Sequence, residues 1–128
     1  MARDRPPSMS ALAAALCALM IGVGGAVPVA AAEILSGDQI WSALAGNTVE
    51  GAMEATGAYV EFYDPAGVVR GKDYQGRWTI EGNSMCFEYT GSPKECWQVG
   101  RDNGAIEWLQ GGEVYGMGRL VPGNPNGF

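Results

Sequence analysis

The sequence predicts a mostly β fold: a small antiparallel meander closing into a roughly eight-stranded, lipocalin-like barrel, with one short N-terminal helix. Three observations lead there. After Gly46, short runs that alternate apolar and polar residues recur every eight to twelve positions, each bounded by Gly, Asn, Asp or Pro. The connections between them are too short for the crossovers that parallel strands need, so successive strands are antiparallel neighbours. A meander of this size must hide two edges, and closure into a barrel does so.

The first 32 residues read as an export signal. Arg3 and Arg5 give a basic start, an apolar run extends from Ala11 to Val29, and "VAAA" follows. Ala30 and Ala32 satisfy the small-x-small rule, so cleavage is expected between Ala32 and Glu33. Pro28 breaks the helix just ahead of that site. The run is long enough to span a bilayer, but it is mostly Ala and Gly and it ends in a cleavage pattern, so removal is expected rather than anchoring. Cys17 follows Leu16 and lies early in the run, which does not suit lipidation. "RDR" lacks the adjacent arginine pair of a twin-arginine signal. The protein is therefore expected to be periplasmic or secreted, with no membrane insertion once the signal is removed.

Residues 33–128 form one expected domain. They carry six basic and thirteen acidic residues, a net charge of −7. Nucleic acid and anionic membrane surfaces would repel such a chain, and a basic partner would attract it.

The helix comes first. "LSGDQIWSALAGN" offers Ser36 as N-cap and Gln39 three residues on, a capping box. Leu35 and Ile40 are placed for a hydrophobic staple. Asp38 suits the positive end of the helix dipole. Ile40, Trp41 and Leu44 form the apolar stripe, and Gly46 ends the helix as a left-handed cap.

Strands are expected at about 47–53, 58–63, 67–74, 76–81, 84–90, 95–100, 105–110 and 113–121. "DPAG" at 64–67 is a type I turn signature; "EGN" and "RDNG" are hairpin turns. Alternation gives an expected inward set of Val60, Phe62, Trp78, Ile80, Phe87, Tyr89, Trp97, Val99, Ile106, Trp108, Tyr115 and Met117. Glu61, Arg77, Thr79, Glu81, Glu88, Gln98 and Glu107 are expected outward. Tyr59 and Tyr63 fall beside Glu61, where they would form an exposed aromatic patch or lie beneath the helix. Gly116 and Gly118 share one face of the last strand, which something could pack against, the helix included. The tail "VPGNPNGF" reads as a loose arm or a strap across one end.

Cys86 and Cys96 flank the turn residues of "TGSPK". Once Cys17 leaves with the signal they are the two remaining cysteines, and an exported chain with an even count favours a disulfide. Zinc needs about four ligands, whereas this chain has no histidine. A redox pair wants two intervening residues rather than nine. Folding the hairpin about Gly91 sets Cys86 opposite Cys96, on the more polar face.

With "LAGNTVEG", "GRWTIEGNSMCFEY", "ECWQV" and a terminal "GNP" in view, the chain resembles a family of short exported proteins, mainly alphaproteobacterial, of unknown function. The shared outline is a small helix, G-N-T, G-x-W and a two-cysteine hairpin. The resemblance implies export and a small β-rich domain. It brings no catalytic or binding residues.

The absence of histidine removes the commonest general base and the Ser-His and Cys-His nucleophile pairs. No catalytic residue, metal site or cofactor is expected. Glu50, Glu54, Glu61, Asp64, Glu81, Glu88, Glu107 and Glu113 are candidates for a paired-carboxylate hydrolase, but most fall on outward positions, where a solvated acidic surface is expected. "GMG" and "GGEVYG" precede no helix and are not phosphate loops. Trp78, Tyr89, Trp97, Trp108 and Tyr115 point inward by parity. They would either fill the core, as the small size of the barrel favours, or face a ligand. The expected function is a non-catalytic binding module for a protein or a small apolar ligand in the cell envelope, an inhibitor of a basic enzyme being one version. A hydrolase of cell-wall glycans and an inert structural envelope protein are the alternatives.

Overall fold

The computed structural model describes residues 24–25 and 32–128. The expected signal and its cleavage pattern therefore lie almost wholly outside the described residues. Strand β1 (Glu33–Ile34) leads into helix α1 (Gly37–Leu44), and β2 (Thr48–Met53), β3 (Gly57–Asp64), β4 (Val68–Arg70), β5 (Gln75–Glu81), β6 (Ser84–Tyr89), β7 (Glu95–Asp102), β8 (Ala105–Gln110) and β9 (Glu113–Val121) follow. Strands β2 to β9 pair antiparallel in sequence order, and β9 returns to β2, closing an eight-stranded barrel. No described helix is long and apolar enough to cross a membrane.

The helix starts where its capping chemistry says it should. Gln39 N–H donates to Ser36 Oγ at 3.3 Å and Ser36 N–H to Gln39 Oε1 at 2.8 Å, completing the capping box. It ends at Leu44 with Ala45 as an extended C-cap, and Gly46, expected to be the cap itself, takes its φ of 79° in the turn that follows, closed by Asn47 N–H to Leu44 O at 3.0 Å. Leu35, Ile40, Ala43 and Leu44 are buried, whereas Trp41 stays half exposed with its ring tilted over Trp78 at 5.2 Å. The Gly37 N–H donates to Asn83 Oδ1 at 2.9 Å in the β5–β6 turn, and Gly46 N–H donates to Tyr63 O at 2.7 Å. These ties seat α1 across one end of the barrel, here the lower end. The tail straps the same end: Gly123 donates its N–H to Asn47 Oδ1 at 2.9 Å and accepts from Thr48 Oγ1 at 2.7 Å.

Between plug and barrel lies a core of Ile40, Leu44, Val49, Tyr63, Val69, Trp78, Met85, Val99 and Ile106, all but closed to solvent. Tyr63 meets Trp78 and Trp108 edge-on, each at 6.4 Å. Trp78 Nε1–H donates to Asp64 O at 2.9 Å, which satisfies the one polar atom of that side chain.

Cys86 and Cys96 are bonded, and they sit opposite one another in the β6–β7 register. The bridge reinforces a seam that needs it. Strands β6 and β7 share only three register pairs, Met85↔Trp97 to Phe87↔Glu95, and the short β1 takes over beside β7 at Gly100 and Arg101. In the chain-entropy account, closing a loop of this length stabilises by about 2.5–3 kcal/mol.

Several expectations from alternation are corrected. The strand expected over 67–74 is cut to Val68–Arg70, because Gly71 N–H bonds back to Tyr74 O at 2.9 Å and turns the chain. Val60, Phe62 and Met117 do not face inward; Met117 is 52% exposed, and Val60 and Phe62 are partly covered on the outer wall. In β3 the inward residues are Tyr59, Glu61 and Tyr63. The cause is the β2–β3 pairing, which sets Glu61 opposite Val49, a fully buried valine. Cross-strand partners share a face. Gly116 and Gly118 receive side chains of the barrel wall, not the helix: Met53 fills the space at Gly116, and Val49 and Tyr59 fill that at Gly118.

Candidate functional site

The end of the barrel away from α1 is open. A cavity of about 1210 Å³ descends from it, comparable with or larger than sites that take small molecules, on the order of 300–1,000 Å³. Residues 54–56, Tyr74 and the β6–β7 turn at Thr90, Ser92 and Pro93 contribute to its rim. Below the rim the wall is largely aromatic. Tyr89, Trp97, Trp108 and Tyr115, all expected inward, line it, while Trp78 lies deeper in the packed core. Tyr115 points inward because of a bulge. Trp108 pairs with Gly116 and Leu109 with Val114, which leaves Tyr115 as the extra residue, its ring 6.0 Å from that of Trp97.

Glu61 stands at the base of this cavity, on β3, and is only 8% exposed. Three tyrosine hydroxyls converge on it. Tyr74 and Tyr89 each donate to Oε1 at 2.8 Å, and Tyr63 donates to Oε2 at 3.3 Å. Burial raises the Glu61 pKa above the ordinary glutamate value, and the three hydroxyl bonds oppose that rise. Burial, and after it the charge of Glu61, holds Tyr63, Tyr74 and Tyr89 firmly in their neutral, hydrogen-donating form. Tyr59 completes the group: its hydroxyl accepts from Trp108 Nε1–H at 2.7 Å, and burial pushes its pKa up to about 12.

Glycines make room for these rings. A methyl group at Gly71 would strike the ring of Tyr74, one at Gly76 the ring of Tyr89, and one at Gly118 the hydroxyl of Tyr59. Three glycines that composition ascribes to barrel curvature thus also act as sockets for tyrosines of the site.

Of the eight carboxylates considered for a paired-acid site, the cavity gathers two, Glu54 and Glu61, and adds Glu95. Three others are occupied elsewhere: Asp64 with Arg70 at 3.3 Å, Glu81 with Lys94 at 2.9 Å, and Glu50 with Arg119 at 2.8 Å. Glu81 also lies near Cys86 and Cys96. The two sulfurs are bonded to each other, so that group presents no thiolates to a metal.

Alternation places Glu61 outward, whereas the structure turns it into the cavity. The signal lay in the neighbouring strand. "TVEGAM" has Val49 in phase with Gly51 and Met53, and an inward Val49 across a short hairpin brings Glu61 inward with it. A smaller and more open hollow, of about 600 Å³, lies beside α1 between Glu33, Asp38 and Arg101 and lacks an aromatic wall.

Comparison with protein-family models, with curated proteins and with solved structures finds no match to this chain.

Proposed function

We propose that this chain is a non-catalytic binding module that holds a small molecule inside its barrel, acting outside the reducing cytosol. The observation that carries the reading is the open, aromatic-walled cavity above a barrel whose other end is plugged by its own helix. A barrel filled by its tryptophans would have left only surface recognition. The disulfide and the signal-like N-terminus support an exported location, periplasmic or secreted.

The test is uptake of Nile red, a neutral dye whose emission rises in apolar surroundings. Saturable one-to-one binding is expected, with affinity reduced about tenfold by Trp97→Ala, which removes a large aromatic face from the wall. Emission that never saturates, or that ignores both Trp97→Ala and Tyr115→Ala, would reject the reading.

A hydrolytic reading draws on Glu61 itself, since a buried carboxyl with a raised pKa is suited to act as a general acid. Turnover of cell-wall glycans that disappears in Glu61→Gln would favour it over simple binding.

A further inference from the structure

We propose that the cavity is a receptor for an organic cation, an ammonium group carried on an apolar or aromatic body and seated against Glu61. The proposal rests on the binding reading and adds the chemical class of the ligand.

Glu61 is 92% removed from solvent, and among the described residues no lysine or arginine lines the cavity. The three ion pairs of the described residues use Glu50, Asp64 and Glu81, and none reaches Glu61. Its partners are hydroxyls, which orient a carboxylate but bring no net positive charge. Burial without a counter-ion favours the protonated carboxyl, so a cation seated beside Glu61 would draw it towards its ionised form and pair with it.

Acceptor capacity points the same way. An ionised carboxylate offers about four lone-pair sites. Tyr74 and Tyr89 occupy two on Oε1, and Tyr63 makes one longer bond to Oε2. One acceptor site remains, open to an N–H of a protonated amine or to the polarised methyl groups of a quaternary ammonium.

The walls select the kind of cation. Tyr89, Trp97, Trp108 and Tyr115 present aromatic surface around the space above Glu61, and aromatic faces attract a diffuse positive charge within about 6 Å. A small divalent ion would want several oxygen ligands and more than one carboxylate close together. The rim adds Glu54 and Glu95, and residues 33–128 carry a net charge of −7, so the approach favours cations over anions. An anionic ligand such as a fatty acid would set a second negative charge against Glu61.

The experiment compares benzyltrimethylammonium with neopentylbenzene, its uncharged carbon isostere, by calorimetric titration of the purified protein and of Glu61→Gln. The cation is expected to bind at least about tenfold more tightly than the isostere, and Glu61→Gln is expected to erase that preference. Equal affinities in the unmodified protein would overturn the cation proposal and leave the binding reading standing. Binding of neither compound, with Nile red also excluded, would overturn both. Should Glu61→Gln fail to fold, the preference in the unmodified protein still decides. Tyr89→Phe then supplies the second variant, with a preference reduced about threefold, because it removes one of the hydroxyls that favour the ionised carboxylate. A preference unchanged in a folded Glu61→Gln would place the cation elsewhere and sink the proposal.

Discussion

The two ends of this barrel solve opposite problems. The lower end is closed by α1 and the tail, and its interior is a redundant apolar core in which Ile40, Leu44, Tyr63 and Trp78 cover one another. The upper end buries a carboxylate, surrounds it with tyrosines and stays open. Packing of the first kind serves stability alone. The second arrangement costs stability, because a charge held away from water is unfavourable unless compensated. Proteins tolerate such costs where a site needs them. The contrast teaches that one continuous sheet can hold a packed apolar core at one end and an open, polar-based cavity at the other.

That contrast predicts effects of different size and even of different sign. The largest belongs to the lower end. Trp78→Ala is expected to destabilise by about 3–5 kcal/mol, since it leaves a cavity under Trp41 and Tyr63 and removes the bond to Asp64 O. Urea unfolding measures it; a loss below about 1 kcal/mol would mean that the core is not shared as described. Replacing both Cys86 and Cys96 by serine comes next, with an expected loss of about 2.5–3 kcal/mol in the same assay.

At the upper end the sign reverses. Glu61→Gln is expected to stabilise by about 1 kcal/mol near neutral pH, because it replaces a buried charge by a neutral side chain of the same shape. The pH dependence follows from the raised pKa of Glu61. A group whose folded pKa lies above its unfolded value contributes stability that is fully present below the unfolded value. That contribution is lost as pH rises through the folded pKa. The advantage of Glu61→Gln should therefore be absent at and below the ordinary glutamate value and should grow above it. Unfolding curves at acid and neutral pH check this, and a variant less stable than the parent at neutral pH would break the comparison. Tyr89→Phe acts in the opposite sense and is expected to cost about 1.5 kcal/mol, as one hydroxyl bond to the buried carboxylate is lost while the ring stays stacked on Phe87.

The two ends also differ in how far the sequence reveals them. The start of the helix was legible in Ser36 and Gln39, because capping is local chemistry written in adjacent residues; its end falls at Ala45, one residue before the expected Gly46. The Cys86–Cys96 pairing and most strand boundaries were legible for the same reason: turn residues fix short-range register. Glu61 was not. Alternation tells which residues of β3 share a face, and it cannot by itself tell which face is inside. Hydropathy then favoured Val60 and Phe62 over Tyr59, Glu61 and Tyr63, which is the wrong choice wherever a barrel interior is polar by design. Tyr74 was hidden for a different reason. It follows a turn at Gly71, and the folding of the β3–β4–β5 meander brings its hydroxyl back to Glu61, thirteen residues away. Local pattern reads the part of the molecule that is stabilised locally, whereas the site is assembled by long-range contact.

The most direct test of the account is a carbon-13 NMR titration of the Glu61 side-chain carboxyl, with and without benzyltrimethylammonium. The expected midpoint lies above the ordinary glutamate range in the free protein and moves down when the cation is added. A midpoint within the ordinary range that the cation leaves unmoved would contradict it.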